Sequence, residues 1–170
     1  MKLLLILEDA NIFSDAKRIV DFSSYEARVA VKVAIFDESN DIALVGTKYR
    51  LLPGGGVEEG ETLVEAVARE SLEEAGCALV EIKEITSTEE FRVKKKLLQL
   101  THFFTAKLAG EKSAPRTTQE DEQGIVVEWH NLNDAIALLE KQLIEIPFES
   151  YNSCFNVRTH LAFLRHLKIN

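Results

Sequence analysis

Between Thr62 and Gly76 the chain spells a helix with both ends marked, then loads it with carboxylates where a helix tolerates them least. Thr62 and Glu65 form a capping box, each side chain able to take the other's backbone N–H, and Gly76 stands where a left-handed residue closes a helix. At about 100° per residue, Glu70, Glu73 and Glu74 share an arc of about 100° on one face. Glu70 with Glu74 is an i,i+4 like-charge pair and Glu73 adds an i,i+3 clash, each costing about 0.2–0.5 kcal/mol on an exposed helix. All three sit in the last turns, where the macrodipole disfavours anions. A segment that breaks three rules together is relieved by its surroundings, and such conflicts mark functional sites.

The flanks predict what this helix packs on. From Ala27 to Asp37 the residues alternate, with Val29, Val31, Val33 and Ile35 on one face of a strand. Ser39-Asn40-Asp41 supplies a turn, and Ile42 to Lys48 returns as the second strand of a hairpin. Leu51-Leu52-Pro53-Gly54-Gly55-Gly56 continues neither strand nor helix. Beyond the helix, Ala78–Thr86 and Leu97–Lys107 read as strands around the basic stretch Arg92–Lys96. Ile125–His130 is a short strand, followed by a helix over Leu132–Lys141, and Val157–Leu167 carries apolar residues at helical intervals. Residues 1–26 read as an edge strand plus a connection. At 170 residues without repeat, low-complexity tract or linker, the chain reads as one domain over 1–170. Strands and helices interleave without a regular βαβ rhythm, so the fold class is α+β with a mixed sheet.

Composition enters where it limits partners. The formal net charge is −8, which argues against bulk electrostatic binding to nucleic acid or anionic lipid. Most of that charge is local: Glu58 to Glu74 holds seven carboxylates and one base, Arg69. The apolar run Leu3–Leu7 is too short for a signal peptide or a membrane span. Two cysteines, Cys77 and Cys154, fit a reduced cytoplasm rather than a disulfide scaffold.

A hard divalent cation relieves the three penalties on the helix together. Oxygen-only ligands point to Mg²⁺, with Mn²⁺ as the alternative, because zinc would ask for His or Cys beyond the single Cys77. Mg²⁺ keeps waters and shares ligands with phosphate oxygens, so an all-carboxylate cluster suggests a phosphate-ester or pyrophosphate substrate. The Gly54-Gly55-Gly56 loop agrees, since glycines let backbone N–H groups approach anionic oxygens.

Gly55, Glu61, Arg69-Glu70, Glu73-Glu74 and Gly76 are seven identities at fixed spacing, which at about 7% per position arise by chance about once in 10⁸ windows. The stretch Gly55–Cys77 resembles the Nudix hydrolase family, whose box reads G-x5-E-x7-R-E-U-x-E-E-x-G-U with U a bulky apolar residue. Every polar and glycine position matches; Ser71 and Cys77 are small where bulky residues are usual, which bears on helix packing rather than on chemistry. Leu52-Pro53-Gly54-Gly55 and the preceding hairpin also resemble the family.

The resemblance implies an α/β/α sandwich with a mixed central sheet and a loop–helix–loop metal site. It implies that Glu70, Glu73 and Glu74 bind Mg²⁺ and that Arg69 orients the carboxylates. Glu61 then braces the loop or helps hold metal through water, and Gly54 and Gly55 face the substrate. The implied activity is hydrolysis of a nucleoside diphosphate linked to another group. The general base comes from Glu120 or Glu122 in the acidic loop Thr117–Glu122, with Glu70 as the competing base. Family members often pair into dimers, and Leu3–Leu7 offers an edge strand for that.

Arg50, just before the glycine loop, is the candidate for a substrate phosphate. Arg92–Lys96 reads as a solvated turn that leaves an RNA 5′ end open, and His102, His130, His160 and His166 read as structural. Tyr25, Phe91 and Trp129 read as core or rim rather than base-stacking residues, and Lys112–Arg116 as ordinary loop. Among substrates the lean is to ADP-ribose or a nucleotide sugar. Nucleoside triphosphates, dinucleoside polyphosphates and RNA 5′ ends are the alternatives. A non-catalytic module that binds a nucleotide metabolite is the reading from another class. The four intact carboxylates speak against that module.

Overall fold

Strand β2 (Glu26–Phe36) is buried on both faces over its second half, and the rest of the molecule is arranged around it. The computed structural model describes residues 3–18, 21–116 and 124–169. The remaining strands are β1 (Leu3–Glu8), β3 (Ile42–Gly46), β4 (Leu79–Arg92), β5 (Leu97–Leu108) and β6 (Val126–His130). The helices are α1 (Leu63–Ala75), α2 (Leu132–Glu145) and α3 (Tyr151–Ile169). The strands form one sheet in the order β1-β4-β5-β2-β3-β6. β1 with β4 and β2 with β5 run parallel; β4–β5, β2–β3 and β3–β6 run antiparallel, so the sheet is mixed.

Alternation along β2 sorts its residues between two cores. Val31, Val33 and Ile35 pack with Ala66, Val67, Ala75 and Cys77 of the α1 region. Ala34 lies on the opposite face, in a core with Leu139 of α2 and Phe155, Leu161 and Phe163 of α3. Helices on both faces of a mixed sheet make the expected α/β/α sandwich. Helix α1 has its capping box, with Thr62 accepting from Glu65 N, and ends on Gly76 at φ 64°. Ser71 and Cys77, the two undersized positions, are fully buried; the Ser71 hydroxyl donates to Val67 O at 2.7 Å, so small side chains seat this helix closely on the sheet.

Three elements run well past the sequence expectation, for one reason. β4 runs on to Arg92 rather than ending at Thr86, because its inward positions Thr88, Glu90 and Arg92 are polar yet buried. Helix α3 begins at Tyr151 rather than Val157, and its first turns carry Asn152 and Asn156, which bond the same buried arginine. Apolar spacing cannot report a core that is polar. Helix α2 likewise extends past Lys141 to Glu145, its inward Gln142 being buried. The edge strand at the N-terminus is present as β1, beside β4. No helix among the described residues is long and apolar enough to cross a membrane.

Candidate active site

The glycine loop is stitched to β2. Val31 N donates to Gly55 O (2.9 Å), Val33 N to Pro53 O (3.1 Å) and Val57 N to Val29 O (3.1 Å). These bonds fill the β2 edge that β3 leaves after the single paired position Phe36–Ile42. Gly54 adopts φ +133°, and a Cβ there would stand 2.2 Å from Val31 O, so only glycine fits. A Cβ on Gly55 would stand 2.3 Å from Glu70 Oε1: the carboxylate lies directly on the loop backbone.

Arg69 gathers three of the four box carboxylates. Its Nε and Nη2 donate to the two oxygens of Glu61 (2.9 and 3.0 Å), and its Nη1 to Glu70 (2.7 Å) and Glu73 (3.2 Å). Nη2 also reaches Gly56 O at 2.9 Å, tying helix to loop. This fork holds the Glu61 carboxyl below its usual range, chiefly through the Arg69 hydrogen bonds, and raises the Arg69 pKa. Glu70 moves the other way: it is 7% exposed, and burial pushes its pKa up despite Arg69 and the charge of Lys32. Glu74 turns to the loop instead, accepting from Gly54 N at 2.7 Å. Lys32 of β2 donates to Gly54 O on the same glycine.

The strain that the sequence places on α1 is thus shared out between an arginine, a lysine and a backbone amide. Among the described residues no three His, Cys, Asp or Glu side chains converge closely enough to hold a metal ion. Arg69 stands among Glu61, Glu70 and Glu73, while Gly54 draws Glu74 away. In donor type and charge the residues still fit a hard divalent cation. All donors are oxygens, and four carboxylates against Arg69 and Lys32 leave a formal −2.

Two cavities adjoin this cluster and share Lys32 and Asn156. The larger, about 420 Å³, is walled by Val45, Tyr49, Leu51 and Leu52, with Glu74 and Ser153 as polar contributions, and falls in the size range of small-molecule sites. The smaller, about 170 Å³, lies against Gly54 and Gly55 and is lined by Arg28, Arg92, Gln99 and Asn152.

The Arg50 guanidinium is held by protein partners. Its Nε is bound to Glu128 (2.9 Å) and its Nη1 to Gly46 O (2.8 Å), while Gln142 brackets its backbone. It lines a cavity with Leu138 and Lys141 on the α2 side, which shares Lys48 and Tyr49 with the larger site cavity. The reading of Arg92 is corrected: only Lys94 to Lys96 form the exposed turn, whereas Arg92 is 4% exposed and paired with Glu90. Glu120 and Glu122 lie outside the described residues. The chain approaches that segment along the C-terminus of α1, where Arg116 N donates to Glu73 O (2.9 Å) and Ser113 Oγ to Gly76 O (2.5 Å). His160 is structural as expected, fully buried with its Nδ1 accepting from Leu52 N.

Sequence reasoning missed Arg28 and Lys32. The signal was there: they share strand parity with Ala30 and Ala34, the face of β2 that the valine alternation left unassigned. Asn152 and Asn156 carried no comparable signal.

The NUDIX domain profile matches residues 26–151. A MutT NUDIX hydrolase from Burkholderia pseudomallei is similar in structure, with TM-score 0.54 and 24% identity over 64% of this chain and 85% of that one. A NUDIX hydrolase from Nitrosomonas europaea gives TM-score 0.55 and 22% identity over 66% and 78%. No curated protein matches the sequence. The profile spans most of the chain and covers β2, the glycine loop and the carboxylate helix, so the chain belongs to the NUDIX domain family.

Proposed function

We propose that the protein is a divalent-metal-dependent pyrophosphohydrolase acting on a nucleoside diphosphate linked to another moiety, with the lean toward ADP-ribose or nucleotide-sugar compounds. One observation carries this reading. A desolvated Glu70 carboxylate lies on the Gly55 backbone, braced by Arg69, beside a Glu74–Gly54 amide contact that opens on a cavity large enough for a nucleoside. Family membership supplies the reaction class.

Glu70, Glu73 and Glu74 would hold Mg²⁺, or Mn²⁺, with Glu61 contributing through water or by bracing Arg69. When bound, such an ion polarises phosphoryl oxygens and activates water. Gly54 and Gly55 present backbone to the diphosphate, and Lys32 adds a positive charge beside them. Water attacks one phosphorus in line and bonds to it, its proton passes to Glu120 or Glu122 with Glu70 as the alternative, and the bridging P–O bond breaks with its electron pair leaving on the departing phosphate oxygen. We take the whole chain as one catalytic unit, because β1 and α3, beyond the family match, supply Leu7, Phe155 and Leu161 to the core. The two buried free thiols suit a cytoplasmic protein.

The test is product analysis with Mg²⁺ against ADP-ribose, nucleotide sugars, dinucleoside polyphosphates, triphosphates and 5′-triphosphorylated RNA. Cleavage of a diphosphate-linked compound is expected, with loss of at least about 100-fold in Glu73→Gln and Glu74→Gln at unchanged melting temperature. Full activity in both variants, or no cleavage of any compound, overturns the reading.

A further inference from the structure

The smaller cavity is floored by a buried polar network that the proposed hydrolysis does not use. The Glu90 carboxylate, 1% exposed, receives Arg92 Nε and Nη2 on one oxygen (2.9 and 2.6 Å). Its other oxygen receives Gln99 and Thr101 (3.4 and 3.3 Å). Arg92 then donates to Asn152 Oδ1 (3.2 Å) and Asn156 Oδ1 (2.6 Å). A buried pair of this kind is often no more stabilising than apolar residues of the same volume, so its use is to be sought in what it orients.

What it orients is donors. Arginine only donates, so both asparagines must turn their carbonyl oxygens to Arg92, which leaves their NH₂ groups for the cavity. Above them stand Arg28 and Lys32, on one face of β2. Lys32 also acts on the Glu70 carboxylate and donates to Gly54 O; Arg28 lies against Gly56, where a Cβ would meet its Nη2 at 3.0 Å. Two cations and two preset amide donors lining one cavity make a wall for an acceptor with negative charge. At about 170 Å³ the space is below the 300 Å³ or so at which small-molecule sites begin, enough for an oxoanion and too little for a nucleoside.

We infer that this chamber binds a phosphate-class oxoanion carried by the substrate away from the bond that is cleaved. The geometry gives the path: a nucleoside in the larger cavity, the pyrophosphate at Gly54 and Glu74, and the added anion past Lys32 and Asn156, which the two cavities share. The inference rests on the proposed function and narrows it to nucleoside diphosphate derivatives that bear a further phosphate.

The experiment uses a matched pair, ADP-ribose and ADP-ribose 2′-phosphate, with inorganic phosphate as the free-anion probe. Binding is measured by calorimetry without divalent metal, and hydrolysis with Mg²⁺, for the wild type and Arg28→Gln. The 2′-phosphorylated compound is expected to bind at least about 10-fold more tightly, and Arg28→Gln to reduce that preference to within about threefold. Equal binding of the pair overturns the inference, including when inorganic phosphate binds, since the chamber then takes a free anion only. A preference that Arg28→Gln leaves untouched overturns it too. Tighter binding without any hydrolysis keeps the chamber and removes the proposed reaction; hydrolysis without preference does the reverse.

Discussion

Gly55→Ala separates what the glycine loop does for the fold from what it does for the site. The added Cβ would stand 2.3 Å from Glu70 Oε1 and 2.7 Å from its carboxyl carbon. Ordinary contact begins near 3.4 Å, so the carboxylate must retreat by about 1.1 Å. It can do so, being the far end of a flexible side chain, and the loss is then at most the Arg69–Glu70 bond of 2.7 Å. A charge-assisted hydrogen bond is worth about 1.5–3 kcal/mol, and Arg69 keeps Glu61, Glu73 and Gly56, so a stability loss below about 2 kcal/mol is expected. For a chain of this size that is a fall in Tm of less than about 8 °C. Activity is less forgiving, because a misplacement of about 1 Å at a reacting centre costs about 100-fold. Gly54→Ala is the contrast: its Cβ meets the Val31 backbone carbonyl at 2.2 Å with φ at +133°, which a side chain cannot yield to. Strain and overpacking there should cost about 2–6 kcal/mol. The assay is kcat/KM with Mg²⁺ on the compound class the panel identifies, beside thermal melts. A Gly55→Ala enzyme within about threefold of wild type, or one that melts as low as Gly54→Ala, refutes the reasoning.

Two further outcomes are expected. Glu120→Gln or Glu122→Gln should lower kcat by at least about 100-fold, as removal of a general base does, with KM little changed; a rate within twofold in both assigns the base to Glu70. His160 is held neutral, its pKa well below the usual range because burial, with Lys32 and Arg92 nearby, disfavours the cation. Since the unfolded chain protonates it below about pH 6.5 and the native chain does not, stability should fall as pH drops, by up to about 1.4 kcal/mol per unit. Urea unfolding at pH 7, 6 and 5 should show that fall reduced in His160→Gln, and parallel curves for the two proteins would contradict it.

Helix α1 was legible because its signals are local. Thr62, Glu65 and Gly76 mark its ends within one or two turns, and the family pattern lies in this helix and the loop just before it. β1, β2, β5 and β6 were legible from apolar runs of the right length. The long polar reach of β4 and the first turns of α3 were not, because Glu90, Arg92, Asn152 and Asn156 satisfy one another across 60 or so residues of chain, and each looks like a surface residue by itself. The partners of Arg50 were not legible for the complementary reason. Adjacency to the glycine loop says nothing about which way a side chain leaves the backbone, and this one leaves toward Glu128.

Strand β2 shows why fold and site are inseparable here. Its odd positions Val31, Val33 and Ile35 seat α1, the helix that carries the carboxylates, while its even positions Arg28 and Lys32 line the smaller cavity. A slip of one residue would exchange the two sets, burying two cations under α1 and turning valines toward the anion chamber. Pairing with β5 along its whole length fixes the register on one edge, and the bonds of Val31 and Val33 to the glycine loop fix it on the other. The loop that lies under Glu70 is therefore also the device that holds Arg28 and Lys32 on their side of the sheet. A substitution that loosens it should disturb the carboxylates and the cations together.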